Sequence, residues 1–91
     1  MVDIIFEAER NRAAAYDNGK EIGESTFSPS ATMWIIDHTL VEEGYGGQGI
    51  AGRLVATIVE NARTAGVNIL PLCPFAKAEF DKNAEYADIR V

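Results

Sequence analysis

The stretch YGGQGIAGRL, residues 45–54, holds four glycines in ten residues and runs straight into an apolar pattern with helical spacing. Bare backbone at a helix start has a chemical use: free N–H groups and the positive end of the helix dipole hold an anion, a phosphate above all. It also has a mechanical use, a tight turn. Side chains able to move protons or attack carbon are few. His38 is the single histidine and the only side chain that ordinarily titrates near neutral pH. Cys73 is the single thiol, a nucleophile if its pKa is lowered and otherwise a small buried hydrophobe. Glu42 and Glu43 stand just ahead of the glycines, and Tyr86 lies near the C-terminus.

Known phosphate cradles test the glycine turn. A Walker A loop needs Lys-Ser/Thr after its last glycine, and Gly49 is followed by Ile50-Ala51, so that cradle is excluded. The dinucleotide fingerprint G-x-G-x-x-G fits twice, as Gly44-Gly46-Gly49 and Gly47-Gly49-Gly52, which in so glycine-rich a stretch carries little information. The acid that should follow by about 20 residues to hold a ribose is missing, since no Asp or Glu lies between Glu60 and Glu79.

The elements that must position these residues follow from periodicity. Residues 10–17 and 20–27 read as a β-hairpin around Asn18-Gly19, the strongest short turn signal, although the alanines of the first arm favour helix. Ser28-Pro29-Ser30 reads as a loop. Residues 33–41 (MWIIDHTLV) suit a largely buried strand. From Gly49 the period becomes helical: Ile50, Leu54, Ile58 and Ala62 fall at i, i+4 steps, and Gly66 is the C-terminal stop. Residues 67–73 read as a second strand, with Pro71 at an edge or a split in the sheet, and 76–83 as a short helix. Strand, helix, strand make a βαβ unit, so these two strands are expected to be parallel. Phe27, Trp34 and Tyr16 are expected in the core. The fold class is α/β, a mixed sheet in one domain spanning residues 1–91.

Composition excludes several functions. The 91 residues carry a net charge of −6, with no basic patch to neutralise a nucleic acid backbone. The charge favours a cationic partner. One cysteine and one histidine support neither a disulfide nor a cysteine- or histidine-based metal site. No apolar run approaches the roughly 20 residues of a membrane span. The N-terminus carries Asp3, Glu7 and Glu9 rather than a basic leader, so a cytoplasmic location is expected. So short a chain has a thin core, and a monomer or weak dimer is expected, a deep pocket needing help from a partner.

A third cradle matches. Residues 41–51, VEEGYGGQGIA, resemble the acetyl-CoA pyrophosphate turn of the Gcn5-related N-acetyltransferases, written Val-x-Pro-x-Tyr-Arg-Gly-x-Gly-Ile-Gly/Ala. Val41, Tyr45, Gly47, Gly49, Ile50 and Ala51 are in register, whereas Glu43 replaces proline and Gly46 replaces Arg or Gln. HTLV before the turn, P-x-C-P after the next strand and the closing NAEY resemble the very small, stand-alone branch of that family, Ala84 replacing a proline. The resemblance runs from about Arg10 to Ile89.

It implies a truncated fold of hairpin, strand, cradle helix, diverging parallel strand and last helix, lacking the N-terminal helices that wall the acceptor site in ordinary relatives. It implies acetyl-CoA as co-substrate, held by the strand backbone at Thr39, Leu40 and Val41 and by Tyr45, Gly46, Gly47, Gln48, Gly49, Ile50, Ala51, Gly52 and Arg53. Lys77 and Lys82 are candidates for the adenosine-side phosphate, or ordinary surface lysines. The acceptor implied is an amine or basic peptide, with His38, Glu42 or Glu43 as candidate bases. Cys73 and Phe80 stand where ordinary relatives carry an asparagine and, seven residues on, a catalytic tyrosine; Phe80 donates no proton, so Tyr86 is the substitute candidate. Two alternatives stay open: a coenzyme A-binding regulatory module without turnover, and Cys73-dependent acyl transfer or thioester hydrolysis.

Overall fold

Asn18 and Gly19 both take positive φ, 50° and 85°, as a type I′ hairpin turn requires. The computed structural model covers Met1–Val91, and on this turn hang two strands, β2 (Arg12–Asp17) and β3 (Lys20–Pro29). Around them stand β1 (Val2–Glu7), β4 (Met33–Val41), α1 (Ile50–Ala65), β5 (Asn68–Pro71) and α2 (Pro74–Lys82), with 3-10 turns at Ala8–Arg10 and Ala84–Ile89. The strands form one sheet in chain order, antiparallel from β1 to β4 and parallel between β4 and β5. This is the mixed α/β sheet expected, with Pro71 at the end of the edge strand β5.

α1 buries Ile50, Leu54, Val55, Ile58, Val59 and Ala62, a single stripe, and Gly66 closes it with φ 74°. Ala13 and Ala15 of β2 belong to the same core as this stripe, so the helical alanines of the first hairpin arm are small core residues of a strand. α2 adds Ala76 and Phe80 to that core. At its far end Phe6, Phe27 and Trp34 stack, with Phe27 and Trp34 ring centroids 4.3 Å apart.

Several boundaries differ from expectation. β1 is an additional strand: Val2, Ile4 and Phe6 pack on the core and the residues between them face away. β3 continues through Ser28 and Pro29, which pair with Ile35 and Trp34, so the loop is shorter than expected. Proline is tolerated there because it is the strand's last residue. β5 is shorter, and α2 starts at Pro74 rather than 76, proline being suited to the first helical turn. Tyr16 is not a core residue. It lies on the other sheet face, where Arg12, only 4% exposed, meets Glu7 at 2.7 Å, Glu21 at 2.8 Å and Glu24 at 2.7 Å. The Tyr16 hydroxyl donates to Glu7.

Candidate coenzyme site

β4 and β5 part company halfway along β4. Pairing stops at Ile36–Pro71, and the amides of Leu72 and Cys73 both donate to the Ile36 carbonyl, at 3.0 and 2.9 Å. Just beyond, a bulge makes Asp37 an extra residue: Thr26 pairs with His38 and Phe27 with Ile36. The Asp37 carboxylate is held by the hydroxyls of Thr26 and Ser28 at 2.6 and 2.8 Å. Since the Glu42 amide donates to Ile22 across the antiparallel pair, strand alternation turns the Thr39 and Val41 amides the other way, toward the gap β5 has left.

The glycine turn closes the end of this gap. Gly47 and Gly49 have φ of 79° and 73°, a conformation costly for any residue with a Cβ. Gly49 is the N-cap of α1, and its carbonyl accepts the first helical bond, from the Arg53 amide at 3.0 Å. No side chain caps the helix and its first turn holds no acid, so the amides ahead of Arg53 are left to an outside acceptor. Tyr45 fixes the turn to the hairpin: its hydroxyl donates to Asp17 Oδ2 at 2.6 Å, which holds the Asp17 carboxyl below its usual value and pushes the Tyr45 phenol up.

A cavity of about 620 Å³ opens over this turn. Of the residues expected to bind the cofactor, Val41, Tyr45, Gly46, Gly47, Gly49, Ile50, Ala51, Gly52 and Arg53 line it. Thr39, Leu40 and Gln48 do not. The Thr39 hydroxyl lies 2.9 Å from Ser25 Oγ and accepts from Cys73 Sγ at 3.7 Å, while the Leu40 side chain is half exposed. α2 supplies a wall that sequence reasoning missed, apart from Lys82: Phe75, Glu79 and Lys82, with the Glu79 carboxylate 2.8 Å from Lys82 Nζ. Their i, i+4, i+7 spacing was the available signal, obscured by placing the helix start two residues late. Lys77 pairs instead with Asp81 at 3.2 Å.

The three candidate catalytic side chains do not converge on this cavity. Cys73 is buried, 8% exposed, at the N-cap of α2. His38 is paired with Thr26 and stands 3.7 Å from Glu24, beside the Arg12 cluster. The Tyr86 ring lies 5.1 Å from that of Phe80, and burial pushes its phenol up. Glu42 and Glu43 are exposed beyond the end of β4.

Residues 10–89 match the model of the GCN5-related N-acetyl-transferase family. This chain belongs to that family. A GCN5-like protein from Staphylococcus aureus is 29% identical with a TM-score of 0.75, over 98% of this chain and 87% of that one. A second S. aureus protein of unknown function is 14% identical, with a TM-score of 0.66 over 97% of this chain and 87% of its own, and so shares the fold. A GNAT family acetyltransferase from Elizabethkingia anophelis, solved with acetyl-CoA bound, is 23% identical with a TM-score of 0.58, over 64% of this chain and 39% of that one. This chain thus spans about two fifths of the length of that protein. No curated protein matches the chain.

Proposed function

We propose that this protein transfers an acetyl group from acetyl-CoA to an amine. The observation that carries the reading is the cavity over an uncapped helix N-terminus, where the amides ahead of Arg53 lack acceptors and two cations, Arg53 and Lys82, stand on the walls. These groups fit a pyrophosphate: N–H donors and positive charge, with glycines letting the backbone approach. Acetyl-CoA would supply an activated thioester. The Thr39 and Val41 amides, turned into the gap between β4 and β5, are placed to donate to the arm of the cofactor and to its thioester carbonyl.

The chemistry asks little of the side chains. The amine nitrogen attacks the thioester carbon, the carbon–sulfur bond breaks, and the amine proton passes to solvent or to the departing thiolate. A thiol with an ordinary pKa of about 8.5 leaves without an acid, so Phe80 is compatible with turnover. An acceptor amine with a pKa of about 10.4 must first lose a proton, and the exposed Glu42 and Glu43 beyond Val41 favour a cationic amine or basic peptide on that side. Nothing in the placement of Cys73 favours the thiol route, since the buried sulfur is turned to Thr39 and lies off the cavity lining. The absence of converging proton-transfer groups favours a second reading, a coenzyme A-binding module without turnover.

Calorimetric titration with acetyl-CoA and coenzyme A, with NAD and ATP as controls, tests binding. We expect selective binding of the first two, abolished in Gly49→Asp, which places a carboxylate on the helix start and strains a left-handed residue. Unchanged binding in a folded Gly49→Asp protein defeats the placement. Acetyl-CoA consumption across a panel of amines then separates enzyme from module, and intact mass after acetyl-CoA alone, with Cys73→Ser as control, detects any acyl-cysteine.

A further inference from the structure

The wall that α2 offers has an order. Phe75, Glu79 and Lys82 follow one another along one helix face over about 10 Å, aromatic, then carboxylate, then ammonium. The Phe75 end lies next to the gap between the strands, because α2 starts directly after Cys73, whose sulfur reaches Thr39 of β4. A cradle for phosphates accounts for Lys82 and not for Glu79, whose charge is of the wrong sign.

Glu79 is nonetheless a built feature. It is 8% exposed, in a residue type almost never buried without a partner. One carboxylate oxygen, Oε2, takes the Lys82 ammonium at 2.8 Å. The other, Oε1, has no hydrogen-bond partner in the protein and is not sealed from the cavity. It lies over the first turn of α1, 3.1 Å from the point a Cβ on Gly52 would occupy, so the glycine leaves it room. An acceptor oxygen left open in a cavity wall is placed to take an N–H donor on the ligand.

Coenzyme A carries such donors in the required place. Between its thiol and its pyrophosphate run two secondary amides, each with one N–H. We propose, building on the acetyl-CoA reading above, that Glu79 Oε1 accepts a hydrogen bond from an amide of the pantetheine arm, while Lys82 meets a phosphate and Phe75 packs on the apolar thioester end. The face of α2 then reads the cofactor in sequence, and Glu79 is a specificity residue for the arm rather than for the nucleotide.

Titration of the full chain with coenzyme A, 4′-phosphopantetheine and 3′,5′-ADP tests this, with thermal melts on every variant. Glu79→Ala is expected to weaken the two pantetheine-bearing ligands about tenfold, the range of one charge-assisted hydrogen bond, and to leave 3′,5′-ADP unweakened or bound more tightly, since the Lys82 ammonium is freed. Glu79→Gln, which keeps an amide oxygen at Oε1, is expected to restore binding to within about threefold. Lys82→Met is expected to weaken all three ligands severalfold. Equal losses of all three ligands in Glu79→Ala, or no loss, overturn the proposal. If 3′,5′-ADP binds too weakly to follow, the Gln rescue decides, and its failure counts against Oε1 as an acceptor. Wild-type protein that binds no coenzyme A removes the acetyl-CoA reading and this one together. Coenzyme A binding lost in Gly49→Asp but unaffected in Glu79→Ala removes this one alone.

Discussion

Gly52 separates two effects that usually travel together. In the first turn of α1 it costs up to about 1 kcal/mol against alanine. Yet a Cβ there meets Glu79 Oε1 at 3.1 Å, tighter than ordinary contact. The carboxylate can yield, because its partner Lys82 is a largely exposed, flexible side chain. Gly52→Ala is therefore expected to raise stability by up to about 1 kcal/mol in thermal melts while lowering coenzyme A affinity several-fold in titrations. A loss of both would show that the carboxylate does not yield, and a gain of both contradicts the contact. At this scale the sequence was informative where backbone conformation dictated the residue. Gly47 and Gly49 stand in left-handed positions that few other residues accept, and Tyr45 sits in a recognisable register. Glu79 was hidden because its burial depends on α2 packing beside α1, a tertiary fact that neither charge nor spacing carries.

Among the elements, the hairpin was legible because Asn18-Gly19 fixes its turn, and α1 because its stripe and Gly66 stop are local. β1 was not, since six residues with charges at Asp3 and Glu7 resemble a solvated leader until Ile4 and Phe6 find the core. The sheet face away from the core is where β1 to β3 are joined electrostatically. Arg12 binds three carboxylates there, and its hydrogen bonds to them, that to Glu21 first, keep the guanidinium protonated more firmly than usual. Arg12→Met leaves those carboxylates facing one another, and a loss of about 2–3 kcal/mol is expected by denaturant titration, toward the low end of a buried pair because Glu21 is exposed. The pH dependence has a definite sign. Hydrogen bonds from Tyr16 and then Arg12 hold the Glu7 carboxyl below its ordinary 4.5, and Arg12 does the same for Glu21. A depressed carboxylate stabilises the fold above its unfolded value and ceases to as pH falls through its folded one. Stability is thus expected to hold from neutrality to about pH 5 and to fall below about 4.5, with a shallower acid slope in Arg12→Met. An identical slope in both proteins would show that the cluster does not govern acid unfolding.

Taken whole, the molecule joins a family by its fold and its glycine turn, and its α/β class followed from a βαβ unit that periodicity alone revealed. The convergence of catalytic groups could not be read that way, since His38, Cys73 and Tyr86 are brought to three different places by a bulge, a helix cap and an aromatic pair. The strand order carries one more consequence. Because the sheet runs in chain order, each of its first three pairings joins sequence neighbours across a short connection, whereas β5 reaches β4 only after α1 has been laid down. Loop-closure entropy therefore orders assembly: the four-strand meander is expected to form in the rate-limiting transition state and the β4–β5 seam after it. Ile69→Val, in that seam, should then speed unfolding and leave the refolding rate almost unchanged in a stopped-flow chevron, whereas a slowed refolding limb would place the seam in the nucleus. The cavity lies beyond the end of that seam, walled by α2, the element that follows β5 in the chain, so a coenzyme bound there would be expected to act as a kinetic latch, lengthening the lifetime of the native state without hastening its birth.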